Sequence, residues 1–256
     1  MSLLSATSFL PVFIIIIIAF ISARLMVRDT AVLKSHAFVN IDGLRGVLAI
    51  LVFIHQSVYW FNYSHSQQWS FYGSATYLSF GQASSCLFFM LSGFLFGHQL
   101  LESRNKEKEI DWLGFFYARI IRLAPLYLVC IFAMLVIVAF EAGFIQFEDT
   151  AILRSNIIDW LVFAIPGHPN INTNGNITLA FSGTIWILAY QWFFYLCLPL
   201  IALLVGSKSR SHSGIWLIIS CLCVASFSRW GLDASLFYGF AGGGFAAYAV
   251  RTPWLH

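Results

Sequence analysis

The stretch Leu44–Phe61, LRGVLAILVFIHQSVYWF, has the length and apolar character of most of a membrane-spanning helix. Its centre, from Val47 to Ile54, contains only apolar residues, and its end carries the aromatic residues typical of a membrane interface. His55 follows this apolar centre directly. An ionisable side chain at bilayer depth costs a few kcal/mol or more, so such a residue is usually retained for a function.

The composition of the whole chain indicates the same environment. Of 256 residues, 59% are hydrophobic and 10% are charged, whereas a soluble domain carries about 25% charged residues. This balance predicts an all-α fold, a polytopic transmembrane helix bundle in a lipid bilayer. The net charge of +3 gives no reason to expect a nucleic-acid partner. The five cysteines lie in apolar segments without the spacing of a zinc site, so no metal is expected.

Apolar stretches of sufficient length predict about seven spans. They cover approximately residues 8–26, 44–63, 78–100, 121–140, 184–205, 213–229 and 234–250. A long loop is expected at about 141–183. Within it, a short apolar patch at 157–165 predicts a surface or re-entrant segment, and the Asn-rich run at 168–176 predicts turns.

The basic residues predict the orientation of the chain, because they favour the cytoplasmic side. With the N-terminus outside and the C-terminus in the cytoplasm, all but two of the 14 Lys and Arg residues are cytoplasmic; the exceptions are Arg154 and Arg229. The first apolar stretch has neither a basic segment before it nor a small-residue cleavage site. Residues 1–40 are therefore expected to be a retained anchor helix with a basic cytoplasmic segment, followed by one transmembrane domain over 41–256.

Three ionisable residues lie in the second predicted span or just before it. Asp42 and Arg45 are three residues apart and share a face if both are helical. His55 lies ten residues beyond Arg45, about 15 Å deeper, which is near the middle of a hydrocarbon core ~30 Å thick. Structural alternatives remain open for each: Asp42 could cap the helix, Arg45 could anchor it at the cytoplasmic face, and His55 could hydrogen-bond to another helix.

Two arginines, Arg119 and Arg122, precede Pro125 where the fourth span is predicted to begin. Cations at a helix N-terminus oppose the helix macrodipole, so local stability does not explain them. They serve either to fix the topology or to bind phosphate on the cytoplasmic side, because guanidinium groups form paired hydrogen bonds with phosphate oxygens.

The third and fifth predicted spans also carry polar residues. Ser92, next to Gly93, favours close helix packing, although it could line a cavity. Gln191 in the fifth span lies about 10 Å below the outer surface if the helix begins near residue 184. Its neighbours along the chain include Trp186 and Tyr195.

Together these segments resemble the acyltransferase 3 family of integral membrane enzymes. The matching segments, in the order of the family, are Ile41–Gly46 with His55, Phe88–Phe94, Arg119–Pro125 and Trp186–Tyr195. The resemblance implies a transferase for acyl groups other than amino-acyl groups. Such an enzyme takes an acyl group, commonly acetyl, from cytoplasmic acetyl-CoA or another acyl-CoA. It delivers the group to a hydroxyl of a glycan or lipid-linked saccharide, often at the outer face of a bacterial inner membrane.

The resemblance also implies roles for individual residues. His55 would be the general base or relay the acyl group, a task suited to an imidazole. Arg45, Arg119 and Arg122 would hold the phosphates of coenzyme A, with Arg45 also beside the reacting groups. Further residues near the substrate would be Asp42, Ser92, Trp186 and Tyr195.

The chain departs from the family pattern at two points. The glutamate of the family is Gln191 here, which can hydrogen-bond but cannot accept a proton. The chain also stops at His256, whereas family members usually continue through several more spans. Two alternatives therefore stay open: a catalytically degenerate member that acts as a scaffold or binding protein, and a small transporter or proton relay suggested by His55 alone.

Overall fold

The computed structural model describes residues 10–26, 39–66, 74–164, 168–207, 213–225 and 236–251. Over these residues the chain forms eight helices and no strand. The helices are α1 Leu10–Met26, α2 Val39–Ser66, α3 Ala75–Asn105, α4 Trp112–Glu141, α5 Thr150–Leu161, α6 Gly175–Val205, α7 Ser213–Ala225 and α8 Phe237–Ala249.

Four of these helices contain stretches that are long and apolar enough to cross a bilayer. The stretches are Gly43–Ser66, Ala75–Asn105, Trp112–Glu141 and Ile185–Val205. Helices α1 and α7 contribute the shorter apolar stretches Val12–Ser22 and Gly214–Ala225. The predicted all-α membrane fold is confirmed, and the number of seven spans stays a prediction.

Helix α4 shows how a membrane environment selects the residues on each face. One stripe of α4 is buried, with the spacing of a helical face; it consists of Tyr127, Ile131, Met134 and Val138. Other faces of the same helix expose large apolar side chains, including Leu126 and Phe132 at 72% and 69% exposure. Exposed apolar surface of this extent is unfavourable in water and favourable in lipid.

The start of α4 corrects the sequence prediction. The helix begins at Trp112, nine residues before the predicted start at 121, because Asp111 caps it and its carboxylate accepts a hydrogen bond from the Gly114 N–H at 3.3 Å. Arg119 therefore lies about two turns inside the helix. The expectation that Arg119 and Arg122 oppose the macrodipole at a helix N-terminus was wrong.

The loop predicted at 141–183 also differs from the structure. It contains α5, whose first turn is capped by Asp149 through a 2.8 Å hydrogen bond from the Ala151 N–H. Trp160 of α5 is fully buried, and the Tyr127 hydroxyl of α4 donates to its carbonyl oxygen. The turn expected in the Asn-rich run is present, because the Asn174 N–H donates to the Ile171 carbonyl at 3.0 Å.

Helix α6 likewise begins nine residues earlier than predicted, at Gly175 rather than near 184. Gln191 is then sixteen residues into the helix, about 24 Å from its start. The apolar stretch of α6 nevertheless begins at Ile185, next to the predicted start of the span, so the depth of about 10 Å below the outer surface stays a prediction.

The chain divides into two compact units, residues 1–91 and 92–256, with the boundary inside α3. The core of the first unit joins α1, α2 and α3 and consists of Val12, Ile54, Val58 and Tyr77. In the second unit, buried residues of α4, α5 and α6 pack together around Trp160. Ser220 of α7 donates to the Leu196 carbonyl of α6 at 2.5 Å, which ties these two helices together.

Helices α3 and α8 approach closely within the second unit. A Cβ atom added to Gly93 would lie 2.8 Å from the Phe240 carbonyl carbon, which is too close for any other residue. A Cβ atom added to Gly97 would lie 3.1 Å from the Gly244 Cα. Gly93 and Gly97 have the small-xxx-small spacing that lets membrane helices pack backbone to backbone.

Candidate functional site

His55 lies on α2, partly buried, and its ring is held by α3. The ring Nδ1 is 2.9 Å from the Tyr77 carbonyl oxygen. Because a carbonyl oxygen only accepts hydrogen bonds, Nδ1 must be the donor, and the neutral ring then carries its hydrogen on Nδ1. Nε2 is consequently the acceptor nitrogen. This is the tautomer in which Nε2 can take a proton as a general base.

Gly81, one turn along α3 from Tyr77, provides the space for this ring. A Cβ atom at Gly81 would lie 2.6 Å from both Cγ and Nε2 of His55, so no larger residue fits while the ring stays in place. Tyr59, one turn along α2, meets the ring edge to face with centroids 5.3 Å apart. The orientation of His55 is thus fixed by contacts from its own helix α2 and from α3.

Sequence reasoning missed Tyr77 and Gly81. The contribution of Tyr77 is a backbone carbonyl, which has no sequence signature. A glycine inside an apolar helix indicates that another group approaches closely. The sequence does not show that at Gly81 this group is the ring of His55.

Arg45 lies on the same helix as His55 and is partly buried. The nine intervening residues are all helical, so the backbones of the two residues, ten positions apart, are about 15 Å apart along the axis, as expected from the sequence. Asp42 is the fourth residue of α2, so it is not the residue that caps this helix. The side chain of Asp42 lies outside the described part of the chain.

In the second unit, Arg119 lies among three aromatic rings. Its guanidinium carbon is 5.2 Å from the ring centroid of Phe96, 5.2 Å from that of Phe115 and 5.9 Å from that of Tyr195. We refer to these three rings as the aromatic cage. The rings also contact one another edge to face, with centroids 5.3 to 5.9 Å apart. A cation is attracted to the face of an aromatic ring, so the cage stabilises Arg119 in one place.

The two arginines that the sequence grouped together have different surroundings. Arg119 is partly buried, whereas Arg122 is exposed. The structure brings Tyr195 next to Arg119, a pairing that the sequence analysis did not anticipate. Phe96 and Phe115 were also missed, because one comes from α3 and the other from α4 and no sequence spacing relates them.

Ser92 and Gln191 also meet in the second unit. The Ser92 hydroxyl donates to Gln191 Oε1 at 3.5 Å, between α3 and α6, and Ser92 is buried. The amide oxygen of Gln191 thus accepts a hydrogen bond as a carboxylate oxygen at the same position could. Trp186 packs edge to face against Tyr190, one turn along α6, with centroids 5.5 Å apart.

A family model described as an acyltransferase domain, of the acyltransferase 3 type, matches residues 38–254, which include α2 to α8. The chain belongs to the acyltransferase 3 family. No match was found among curated proteins or among solved structures. Membership in the acyltransferase 3 family and the apolar helices together identify an integral membrane protein of an acyltransferase family.

Each unit of this acyltransferase 3 protein contributes one kind of chemistry. The first unit holds an imidazole in a tautomer that can accept a proton. The second unit holds a guanidinium among aromatic rings, a setting that keeps its positive charge in a partly buried place.

Proposed function

We propose that the protein is an O-acyltransferase that moves an acyl group, most simply acetyl, from cytoplasmic acyl-CoA to a hydroxyl of a surface or secreted glycan. The observation that best supports this proposal is the hydrogen bond between His55 Nδ1 and the Tyr77 carbonyl. It sets the tautomer that a general base needs, in a chain that belongs to an acyltransferase family.

In the proposed reaction, a glycan hydroxyl oxygen attacks the carbonyl carbon of the thioester while Nε2 of His55 takes the hydroxyl proton. The C–S bond then breaks, and the leaving sulfur receives the proton from the imidazolium. The products are an O-acyl ester and free coenzyme A. The Tyr77 carbonyl keeps its hydrogen bond to Nδ1 throughout, and it stabilises the imidazolium once the ring is charged.

The phosphates of the donor are assigned to arginines. Arg119 is held by the aromatic cage, so little side-chain freedom remains to be lost when it binds an anion. Arg122, one turn further along α4, is exposed and can reach a second phosphate oxygen. Arg45 near the start of α2 is the third candidate. The distribution of basic residues supports a cytoplasmic C-terminus, and we assign the protein to a bacterial inner membrane.

Gln191 favours a second candidate function, that of a catalytically degenerate scaffold or binding protein. A glutamine cannot take up a proton, and it stands at the position of a family glutamate. Gln191 still accepts a hydrogen bond from Ser92, as a glutamate could, but it lacks the negative charge of a glutamate. The experiment below separates the two functions.

The test is to express the protein in cells that make a defined surface polysaccharide and to measure O-acetyl content by mass spectrometry. Wild type, His55→Ala and Gln191→Glu are compared at equal membrane levels, together with thiol release from acetyl-CoA by isolated membranes. His65→Ala is the matched control, because His65 is an exposed histidine of the same helix that contacts the Phe61 carbonyl at 2.8 Å.

Acetylation by wild type and by His65→Ala, lost in His55→Ala, is the expected result. Acetylation that appears only in Gln191→Glu would favour the degenerate scaffold. Neither acetylation nor thiol release in any variant, measured in membranes that contain the polysaccharide acceptor, would contradict the proposed transfer to that glycan.

A further inference from the structure

An apolar cavity of about 430 Å³ lies in the second unit between α3, α6 and α8. Its walls include Leu100, Ile201 and Phe240, one from each helix. Gly244 also lines it, and a Cβ atom added there would meet nothing within 4 Å. The cavity therefore has open space beside Gly244, and its lining is almost entirely apolar.

The cavity opens on an apolar exterior. Tyr248 lines it and is 55% exposed; Phe245 of α8 and Leu204 of α6, each adjacent in sequence to a lining residue, are 71% and 80% exposed. In a membrane protein, side chains of this type contact lipid. A chain that enters the cavity from this side comes from the bilayer.

One end of the cavity carries a cation. Arg251 follows α8, and its backbone N–H donates to the carbonyl of the lining residue Tyr248 at 3.1 Å. Its guanidinium Nη2 donates to the carbonyl of His98 at 3.2 Å and lies 3.0 Å from Nε2 of that ring. His98 directly follows Gly97, another residue of the cavity wall. The cation is thus fixed one turn or less from the apolar lining.

The nearby carboxylate does not cancel this charge. Glu102 Oε2 is 3.9 Å from Nδ1 of His98, while Glu102 Oε1 is 2.6 Å from Nζ of Lys106. Glu102 and Lys106 form a neutral pair on adjacent turns of α3. Among the described residues, Arg251 is therefore the basic side chain that is held against His98 beside the cavity wall, and its charge is not neutralised by the Glu102–Lys106 pair.

We propose that this cavity binds one acyl chain of an anionic phospholipid, whose phosphate lies at Arg251. The apolar walls complement the hydrocarbon chain and the guanidinium complements the phosphate, a combination that describes an anionic amphiphile. The opening toward apolar exterior surface selects a bilayer lipid as the source. This inference does not depend on the transfer reaction or on the identity of the glycan.

The test is native mass spectrometry of the full-length protein in detergent, titrated with phosphatidylglycerol or phosphatidylcholine carrying identical acyl chains. Wild type is expected to bind phosphatidylglycerol about fivefold more tightly, the effect of one arginine on an anionic headgroup. Arg251→Gln should remove this preference, and Arg104→Gln, at an exposed arginine at the end of α3 that does not line the cavity, should keep it.

A second part of the experiment fills the cavity with a larger side chain. Gly244→Leu is expected to weaken the binding of both lipids at least threefold, because its side chain occupies the space of the acyl chain. Gly242→Leu is the matched control, since Gly242 is also open at Cβ but does not line the cavity. In wild type, a phosphatidylglycerol with a diazirine at the end of one acyl chain should label residues 93–101, 194–205 or 237–248. This last measurement stands even if Gly244→Leu fails to fold.

Three results would overturn the proposal. Equal affinity of wild type for the two lipids would remove the role of Arg251. Labelling only outside residues 93–101, 194–205 and 237–248 would place the acyl chain elsewhere. Displacement of the lipid by palmitoyl-CoA at micromolar concentration would reassign the cavity to the acyl chain of a donor.

Discussion

His55 and Arg119 are both ionisable residues on membrane helices, and the two units of the protein hold them by opposite means. His55 is oriented by one directional hydrogen bond to a backbone carbonyl and by the gap at Gly81. Arg119 is surrounded by three rings that attract its charge without accepting a hydrogen bond in a fixed direction. A directional bond selects a tautomer, which matters for proton transfer. The attraction of the rings has no fixed direction and holds a positive charge in one place, which matters for binding an anion.

The largest effect is expected from removing the imidazole. His55→Ala should lower acyl transfer by about 10² to 10⁴, the contribution of a general base. His65→Ala should leave the rate unchanged, because its ring lies exposed near the end of α2. The rate of thiol release by membranes of equal protein content is the measurement. Wild-type turnover in His55→Ala would contradict the role of His55 as a general base, since His55 would then be a purely structural residue.

Gly81→Ala sharpens the comparison because it keeps the imidazole of His55 but displaces it. The new methyl group would occupy the position of the His55 ring, so the ring must turn away from Tyr77. We expect kcat to fall about tenfold to a hundredfold, the cost of misplacing a reacting group by about 1 Å. Gly214→Ala, at a helical glycine with open space around it, is the control. If Gly81→Ala and Gly214→Ala have the same kcat, the orientation of the ring is not important.

A substitution in the aromatic cage of the second unit should change the binding of acyl-CoA rather than the turnover rate. Phe115→Leu removes one ring of the aromatic cage, and a cation–π contact is worth about 1 kcal/mol. We expect the KM for acyl-CoA to rise about fivefold with kcat nearly constant. Phe140→Leu replaces an exposed phenylalanine at the other end of α4 and should change neither constant. A fall in kcat at constant KM would show that the cage serves the reacting groups instead.

The smallest effect is expected from Ser92→Ala. The hydrogen bond from Ser92 to Gln191 is 3.5 Å long, at the weak end of the range. We therefore expect both kcat and KM to change by about twofold or less. A larger loss that is rescued by Ser92→Thr would indicate that the hydroxyl itself contacts the substrate.

The sequence predicted the residues with unusual chemistry better than it predicted their surroundings. His55 and Arg119 are visible because a charge in an apolar helix is costly and therefore rare. Their partners are a carbonyl, a glycine and three aromatic rings from other parts of the chain. Such groups are common in any membrane helix, so no local pattern distinguishes the ones that make contact.

The helix boundaries show a second limit of prediction. Apolar stretches located α2 and α3, but α5 was missed because Thr150–Leu161 mixes polar and apolar residues and has no long apolar run. Helices α4 and α6 extend beyond their apolar parts, so hydropathy placed their starts too late. The cap at Asp111 is the kind of signal that marks such a start, and it carried the information that hydropathy lacked.

The close approach of α3 and α8 at Gly93 has a consequence for the biosynthesis of the protein. Gly93 is near the beginning of the second unit and Phe240 is near its end. Helix α3 is therefore synthesised well before α8 is available to pack against it. During that time the glycine face of α3 lacks its partner, and lipid or an insertion factor must cover it. The packing of α3 against α8 is therefore a late step of assembly, and a larger residue at Gly93 should impair this step.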